Sequence, residues 1–316
     1  MDKTSVDVIS SDRLAQPAEE KPCFITLVRS AEGERRAHLL IESLRTFGGR
    51  LGNSPVWVFL SDPERVSTAF RNIEGVDFFP LIVEEEFRRY FFADKVYACA
   101  RAEQMMESGT RSLVWMSTGC LVLNPPVLFH LSPPSEAALR PVHIKNVGSL
   151  ANEPLDDFWS EVYRTVGIEH TPFTVESYVD LQKLRPYFNT HAFSINPTKG
   201  VLRIWLEIYK SMLSNQEFQS GPCRDELHQI FLHQAILSAL VMKVLDRDQI
   251  CLLPPEYGYP LHFQQEIPSS RSSRTLNDLV CPVYEEVLPH PDTLKDMDVL
   301  EPLRSWLLNR VSSIGG

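Results

Sequence analysis

Short apolar runs alternate with segments of helical periodicity over the first third of the chain, and this alternation restricts the possible folds most. Cys23–Val28 is a continuous apolar run of strand length, and Ala31–Phe47 then places apolar residues at helical spacing before Gly48 and Gly49 end the helix. The pattern repeats, with predicted strands at 56–60, 76–81 and 112–116 and predicted helices at 63–73 and 94–108. Strands and helices that alternate in this way pair in parallel through right-handed crossovers. We therefore predict an α/β fold whose first half, about 22–125, is Rossmann-like.

The remainder of the chain is less regular but continues the mixture of strands and helices. Predicted strands lie at 138–144 and 186–196, and predicted helices lie at 154–166, 199–213 and 225–245. We predict one domain over 22–290 with a mixed central sheet flanked by helices. Its second half covers about 126–263, and a loop-rich segment closes it over 264–290. A flexible leader over 1–21 and a helical tail over 291–316 complete the expected organisation.

Composition and charge narrow the class of protein. A net charge of −10 and a pI near 5.4 argue against a nucleic-acid partner. The six cysteines occur singly, which is typical of a reduced cytosolic protein with buried thiols. The first 22 residues lack the basic start and apolar core of a signal peptide, and no apolar run approaches the roughly 20 residues of a membrane helix. We expect a cytoplasmic protein without a transmembrane segment.

Polar residues follow three of the predicted strands at the point where each strand ends. Arg29 follows the first strand and Asp62 the second, and the turn Ser117-Thr118-Gly119 follows the strand that carries Trp115. Ligands of open α/β sheets bind beyond the carboxyl ends of the strands, so we expect these residues to line one crevice. None of the three turn residues can carry a negative charge.

The order of several segments resembles the nucleotide-diphospho-sugar transferases of the GT-A fold over most of Cys23 to about Phe263. The landmarks are Ala93-Asp-Lys-Val-Tyr-Ala98, Val114-Trp-Met, Leu123-Asn-Pro-Pro126, Tyr187-Phe-Asn-Thr-His191, His233-Gln234 and Tyr257-Gly-Tyr-Pro260. The resemblance implies a GT-A-like domain that binds a nucleotide-sugar donor in its first half and an acceptor in its second. It leaves the identity of the acceptor and the oligomeric state open.

Four residues depart from the family's pattern. Family members carry Asp-x-Asp after the tryptophan-bearing strand, where two carboxylates hold a divalent cation against the diphosphate. The corresponding residues here are Ser117 and Gly119, while His233 stands where many relatives have an acidic residue and His191 stands where they have glycine. The resemblance therefore implies a degenerate metal site, and we expect no metal cofactor at the usual position.

A basic residue stands where helix electrostatics disfavours it. Lys95 falls in the first turn of a predicted helix, where the macrodipole makes a cation unfavourable by a few tenths of a kcal/mol. One interpretation is that Lys95 binds a diphosphate in place of the metal, together with Arg29 and Arg101. The alternative is a solvated lysine near Asp94 and Glu103.

Histidine and amide side chains supply the candidates for catalysis and for sugar or acceptor contacts. Asn189 and His191 share one face of a predicted strand, where His191 could act as a general base or hydrogen-bond the ligand. The alternative is a histidine with a purely structural role. His233 and Gln234 lie among apolar residues of a long helix, and either the crevice or backbone carbonyls could supply their hydrogen-bond partners. Thr118, Thr190 and His262 complete the candidate ligand-binding set.

Two functional hypotheses follow from these observations. The first is a glycosyltransferase-like enzyme that uses a nucleotide sugar without the usual metal, with His191 and His233 as its catalytic residues. The second is a pseudoenzyme that binds a nucleotide sugar on the same scaffold without catalysis, as the loss of the acidic pair would allow. A GT-A-fold enzyme that has moved to a different reaction is a variant of the first.

Overall fold

The computed structural model describes residues 21–106, 109–285, 289–292, 294 and 296–311. All of the predicted leader except Lys21 lies outside these residues. The β-strands are β1 Cys23–Val28, β2 Val56–Leu60, β3 Val76–Pro80, β4 Leu113–Met116, β5 Ala137–Leu139, β6 Val175–Glu176, β7 Lys183–Leu184, β8 Ala192–Ile195, β9 Ile250–Leu252, β10 Tyr257–Pro260 and β11 Cys281–Val283. The α-helices are α1 Ala31–Phe47, α2 Thr68–Arg71, α3 Ala93–Met105, α4 Asp157–Val166, α5 Val201–Ser214, α6 Gln216–Ser220, α7 Glu226–Val244 and α8 Leu303–Val311.

Seven strands form one mixed sheet in the order β3-β2-β1-β4-β8-β5-β9. The first four strands are parallel, as their alternation with helices predicted. β8 runs antiparallel to both β4 and β5, and this places Ala192, the first residue of β8, opposite Met116, the last residue of β4. Residues just before β8 therefore lie at the same edge of the sheet as residues that follow β1 and β4. We call this edge the carboxyl edge.

Both faces of the sheet are buried, which explains why β1 is apolar along its length instead of alternating. Ile25 and Leu27 belong to a hydrophobic cluster that includes residues of α3, α4, α5 and α7, whereas Phe24 and Val28 pack in a second cluster with α1. Trp115 on β4, a central strand of the sheet, is 3% exposed. The mixed α/β architecture follows from covering an apolar sheet on both sides with helices.

α7 is the most apolar helix of the fold. Its length and composition would allow it to cross a membrane, and among the described residues it alone meets that criterion. This is a weak indication of a membrane span, because a core helix of a soluble protein meets the same criterion. α7 packs against α4 and α5, and its central residues from Leu232 to Val241 are buried.

The last third of the chain closes the fold around the turn that follows β4. β11 pairs with β10, and backbone hydrogen bonds join Leu121 to Pro282 and Tyr284 to Gly119. Leu307 and neighbouring apolar residues of α8 pack in a third cluster that also contains Tyr259. α8 lies within the segment 291–316, which was predicted to be a helical tail.

Two local predictions differ from the structure for identifiable reasons. The helix predicted over 94–108 begins one residue earlier, at Ala93, after Phe92 in the left-handed conformation, and the carboxylate of Asp94 pairs with Arg29. Of the predicted strand over 186–196, only β8 is observed. The residues just before it form a turn, in which the side chain of Asn189 accepts a hydrogen bond from the amide of His191.

Candidate functional site

A cavity of about 610 Å³ opens at the carboxyl edge beside the ends of the first three strands. We call it the edge pocket, and it is lined by Arg29, Ser61, Leu81, Val83, Arg88, Tyr90, Phe91, Phe92 and Asp94. Arg29 follows β1 directly and makes a two-pronged ion pair with Asp94, in which Nη2 lies 2.7 Å from Oδ1. The guanidinium also lies 6.0 Å from the ring centre of Phe92. A fork of this geometry matches carboxylate or phosphate oxygens.

Lys95 lies directly behind the edge pocket and is 4% exposed. Its Nζ donates to Thr190 Oγ1 at 2.8 Å and lies 3.4 Å from His233 Nε2, and the rings of Phe92 and Trp115 flank it. Among the residues that the structure describes, no carboxylate lies within ion-pair distance of this amine. Burial lowers the pKa of Lys95 to about 7. The amine can therefore gain or lose a proton near neutral pH.

The hydrogen bonds of His233 define its tautomer. Its Nδ1 lies 2.9 Å from the carbonyl oxygen of Ile230, which can only accept, so Nδ1 carries the proton. Nε2 is left as an acceptor, 3.0 Å from Thr190 Oγ1. Burial, with the nearby charge of Lys95, holds the pKa of His233 well below its usual range. Gln234 Oε1 lies 3.3 Å from the same hydroxyl, so Thr190 links both helix side chains to Lys95.

His191 forms a relay with Asn189 and Glu285 at the start of β8. Its Nδ1 lies 2.6 Å from Asn189 Oδ1, and its Nε2 lies 2.7 Å from Glu285 Oε1. Because each ring nitrogen faces an oxygen acceptor, the arrangement is fully satisfied only when the imidazole is protonated on both nitrogens. The hydrogen bond from His191 lowers the pKa of Glu285 to about 2. Asn189 and His191 lie before β8 and not on a strand face; a local turn brings them together, in which the amide of His191 donates to Asn189 Oδ1 at 2.7 Å.

Glu285 reaches His191 because the closing segment is held against the turn that follows β4. The amide of Ser117 donates to the carbonyl of His191 at 2.7 Å, and the hydroxyl of Tyr284 donates to the carbonyl of Thr118 at 2.8 Å. A Cβ added at Gly119 would lie 3.6 Å from the backbone of Glu285. Glu285 itself has a φ of 53°, a left-handed value that is uncommon for glutamate. A carboxylate therefore lies beside the turn, but it comes from a distant part of the chain.

Two further histidines surround this relay. The ring of His143 stacks on that of His191 with centres 5.9 Å apart, and its Nε2 donates to the carbonyl of Gly258 at 2.6 Å. Burial, with positive charge nearby, holds the pKa of His143 well below its usual range, so the ring is neutral. His262 lies edge-on to His143 at 6.1 Å, and desolvation lowers its pKa as well. His191 is therefore the histidine of this group that faces an oxygen acceptor with each of its ring nitrogens.

No protein-family model matches this chain, and no curated protein matches it either. Solved structures do match along its length. The galactosyltransferase LgtC in complex with donor and acceptor sugar analogs superposes with a TM-score of 0.51 at 12% identity, over 93% of this chain and 95% of that one. An active-site mutant of LgtC gives 0.52 with the same identity and coverage. The bifunctional glycosyltransferase WbbM in its apo form gives 0.50 at 10% identity, over 93% of this chain and 52% of WbbM.

The chain has a GT-A-like fold. At these identities the likeness establishes the architecture, while activity has to be argued from the site. The edge pocket lies beside the parallel strands of the GT-A sheet, and the relay of Asn189, His191 and Glu285 lies beside the turn after β4.

The residues at the turn do not fit the divalent cation that the GT-A resemblance implies. Ser117 Oγ accepts from the amide of Gly119 at 3.3 Å, and neither residue supplies a carboxylate. Glu285 is the acidic side chain beside the turn, and it is engaged by His191. Across the described ranges, no three His, Cys, Asp or Glu side chains are grouped to hold a metal ion. A hard cation needs several oxygen ligands, and this arrangement of residues does not offer them.

Two of the predicted ligand residues lie apart from this group. The exposed carboxylate of Asp62 pairs with Arg65 at 3.0 Å, and its neighbour Ser61 lines the edge pocket instead. Arg101 donates to Gln104 at 3.0 Å and lines a separate groove beside Tyr97. The reason is helical geometry, since Arg101 projects from a different side of α3 than Lys95.

Proposed function

We propose that this protein is a glycosyltransferase that binds a nucleotide-sugar donor at the carboxyl edge and transfers the glycosyl group to an acceptor without the usual divalent metal. The observation that carries the proposal is the relay of Asn189, His191 and Glu285 beside a turn that lacks carboxylates. The relay places an imidazole, with an oxygen acceptor at each ring nitrogen, where the GT-A resemblance implies a metal ion. A protonated imidazole offsets negative charge, which is the role that a metal ion would have there.

The edge pocket is the proposed donor site. Its volume of about 610 Å³ falls in the range of small-molecule sites, and Arg29 supplies a guanidinium fork for phosphate oxygens. A diphosphate in the pocket would compete with Asp94 for that fork. Lys95 is too deeply buried to contact the diphosphate directly, so its positive charge would act on the ligand from a distance. An anion beside it would raise the pKa of Lys95 and favour its protonated form.

His191 is the proposed catalytic residue. Transfer forms a bond between the glycosyl carbon and the acceptor oxygen and breaks the bond to the diphosphate. The proton of the acceptor hydroxyl passes to the departing diphosphate or to solvent, and the leaving group gains negative charge as it departs. The ring of His191, when protonated on both nitrogens, would stabilise that charge, with Asn189 and Glu285 fixing its orientation. This role is electrostatic stabilisation of the leaving group, in contrast to the general-base role considered from the sequence. His233, a neutral acceptor tied to Thr190, would position Lys95.

A turnover assay against a panel of nucleotide sugars and acceptors tests the proposal. We expect metal-free protein to release nucleoside diphosphate with some donor, and His191→Gln to lower that rate about a hundredfold while leaving donor affinity nearly unchanged. His228→Gln is the matched control, because it removes another histidine–carboxylate pair, with Asp225 at the start of α7. Binding without turnover across the panel would support a pseudoenzyme, and a product without a transferred sugar would indicate a different reaction. Failure to bind any nucleotide would overturn the proposal.

A further inference from the structure

A second cavity, of about 250 Å³, contains a buried arginine without a hydrogen-bond acceptor. We call it the Arg140 pocket, and it is lined by Arg140, Glu176, Tyr178, Pro255, Glu256 and Arg271. Arg140 follows β5 directly and is 6% exposed. Its Nε has no hydrogen-bond partner, and its guanidinium makes no hydrogen bond or ion pair with any residue that the structure describes. The guanidinium lies over the ring of Tyr178, whose centre is 5.0 Å from Cζ.

A buried guanidinium of this kind is unfavourable for folding by itself. Guanidinium groups remain protonated in proteins, and the pKa of Arg140, which burial lowers to about 10, still leaves it charged at neutral pH. Removing a charge from water without supplying an acceptor costs several kcal/mol. Such a group is retained without a partner where a ligand supplies the missing acceptor. The five donors of arginine match an oxyanion with two or more oxygens.

The other charges of the pocket leave Arg140 available. Glu176 is engaged by Arg271, which also accepts a hydrogen bond from the hydroxyl of Tyr178 at its carbonyl oxygen. Glu256 lines the same cavity, but it forms no ion pair with Arg140 in the described structure. Glu256 is therefore the carboxylate that would compete with an incoming anion for the guanidinium of Arg140.

The position of the pocket in the sheet relates it to the proposed transfer site. Arg29 follows β1, His191 precedes β8 and Arg140 follows β5, so the order of the strands places His191 between the two arginines. The carbonyl of Arg140 accepts from the amide of Asn189 at 2.8 Å, and Asn189 in turn orients His191. A molecule anchored at Arg140 would lie across His191 from a donor anchored at Arg29.

We propose that the Arg140 pocket binds an anionic group, a carboxylate or a phosphate, that is carried by the acceptor. The assignment of the bound molecule as the acceptor rests on the proposed function, whereas the anion site itself is inferred from the pocket alone. An acceptor of this class would be a uronic acid, a phosphorylated sugar or another hydroxyl compound with an oxyanion. The acceptor hydroxyl would then face His191 while the oxyanion is held by the guanidinium.

Binding of small probes tests the anion site without any need for turnover. Ligand-observed NMR titrations would compare glucuronate with glucose, and inorganic phosphate would test the second oxyanion. We expect glucuronate or phosphate to bind while glucose does not, and Arg140→Met to weaken that binding about tenfold or more. Arg65→Met, a change at an exposed arginine that pairs with Asp62, is the control and should leave binding unchanged. Equal binding of glucuronate and glucose, or equal binding by Arg140→Met, would overturn the proposal.

Two further readouts separate ligand binding from a structural role. Since Arg140 lacks an acceptor, Arg140→Met should keep or raise the Tm, whereas a structural arginine would lower it. Glu256→Gln removes the competing carboxylate and should strengthen binding of the probe several-fold, and this variant leaves the buried site intact. No gain with Glu256→Gln together with a lower Tm for Arg140→Met would mean that Arg140 is structural. If the protein proves inactive as a transferase, the outcome of these titrations still decides whether the anion site exists.

Discussion

The carboxylate of Glu285 lies 2.7 Å from Nε2 of His191, although Glu285 belongs to the closing segment and His191 precedes β8. This pair lies beside Ser117 and Gly119, where the GT-A resemblance implies a metal-binding carboxylate pair. Beside the turn, an imidazole paired with one carboxylate therefore stands where the resemblance implies two carboxylates.

The ion pair between His191 and Glu285 should contribute to stability over a limited pH range. The folded pKa of Glu285, about 2, lies below the ordinary value of 4.5, so its contribution is present above pH 4.5 and is lost as the pH falls toward 2. The side chains are 29% and 42% exposed, so we expect no more than about 1 kcal/mol. Urea denaturation of the protein and of Glu285→Gln from pH 6 to pH 3 would measure it. A difference that grows as the pH falls would contradict the pairing.

Lys95 should make the stability depend on pH in the alkaline range. Its folded pKa of about 7 lies below the ordinary 10.5, so the unfolded chain binds more protons between these values and stability rises with pH there. Relative to Lys95→Met, the wild-type protein should gain up to about 1.4 kcal/mol per pH unit above pH 7. Denaturant unfolding at pH 6.5, 7.5, 8.5 and 9.5 would show the slope. Parallel curves for the two proteins would mean that Lys95 is solvated.

Arg29 and Arg101 should differ in their effect on nucleotide binding. Arg29 lines the edge pocket, while Arg101 lies in another groove on α3. Arg29→Met should weaken binding of a nucleoside diphosphate by about tenfold or more, because a charge-assisted hydrogen bond is lost. Arg101→Met is the matched control, and calorimetric titration should find its affinity unchanged. Equal losses in both variants would reject the edge pocket as the donor site.

Restoring the acidic pair should create a cation site. Gly119 has space for a side chain, since an added Cβ would be in ordinary contact at 3.6 Å from Glu285. Ser117→Asp combined with Gly119→Asp would bring two carboxylates beside a third, and three such groups suit a hard cation. We expect the double variant to bind Mn²⁺ and the wild-type protein to bind it far more weakly, as measured by electron paramagnetic resonance. If the double variant folds but does not bind Mn²⁺, the turn is not where the metal would lie.

The sequence was informative where structure depends on local pattern. The apolar run at Cys23–Val28 and the helical spacing over Ala31–Phe47 correspond to β1 and α1. These features depend on residues that are close in sequence, which periodicity describes well. The parallel half of the sheet followed from the same information.

The rest of the site depends on contacts between distant segments. Glu285 lies in a stretch that was expected only to be loop-rich, and nothing in its neighbours indicates a partner at His191. Lys95 was considered as an exposed ligand, but it is buried against His233, 138 residues away. Arg140 has no local signal, because a missing hydrogen-bond acceptor can be recognised only in three dimensions. Periodicity does not describe which loops meet at a sheet edge.

Calorimetric titration of the wild-type protein with nucleotide sugars, in EDTA and again with Mn²⁺, tests the central claim most directly. We predict that a nucleotide sugar binds in EDTA and that Mn²⁺ changes its affinity by less than about threefold, because Arg29, Lys95 and His191 supply the positive charge. Binding that disappears in EDTA and returns with Mn²⁺ would contradict the account.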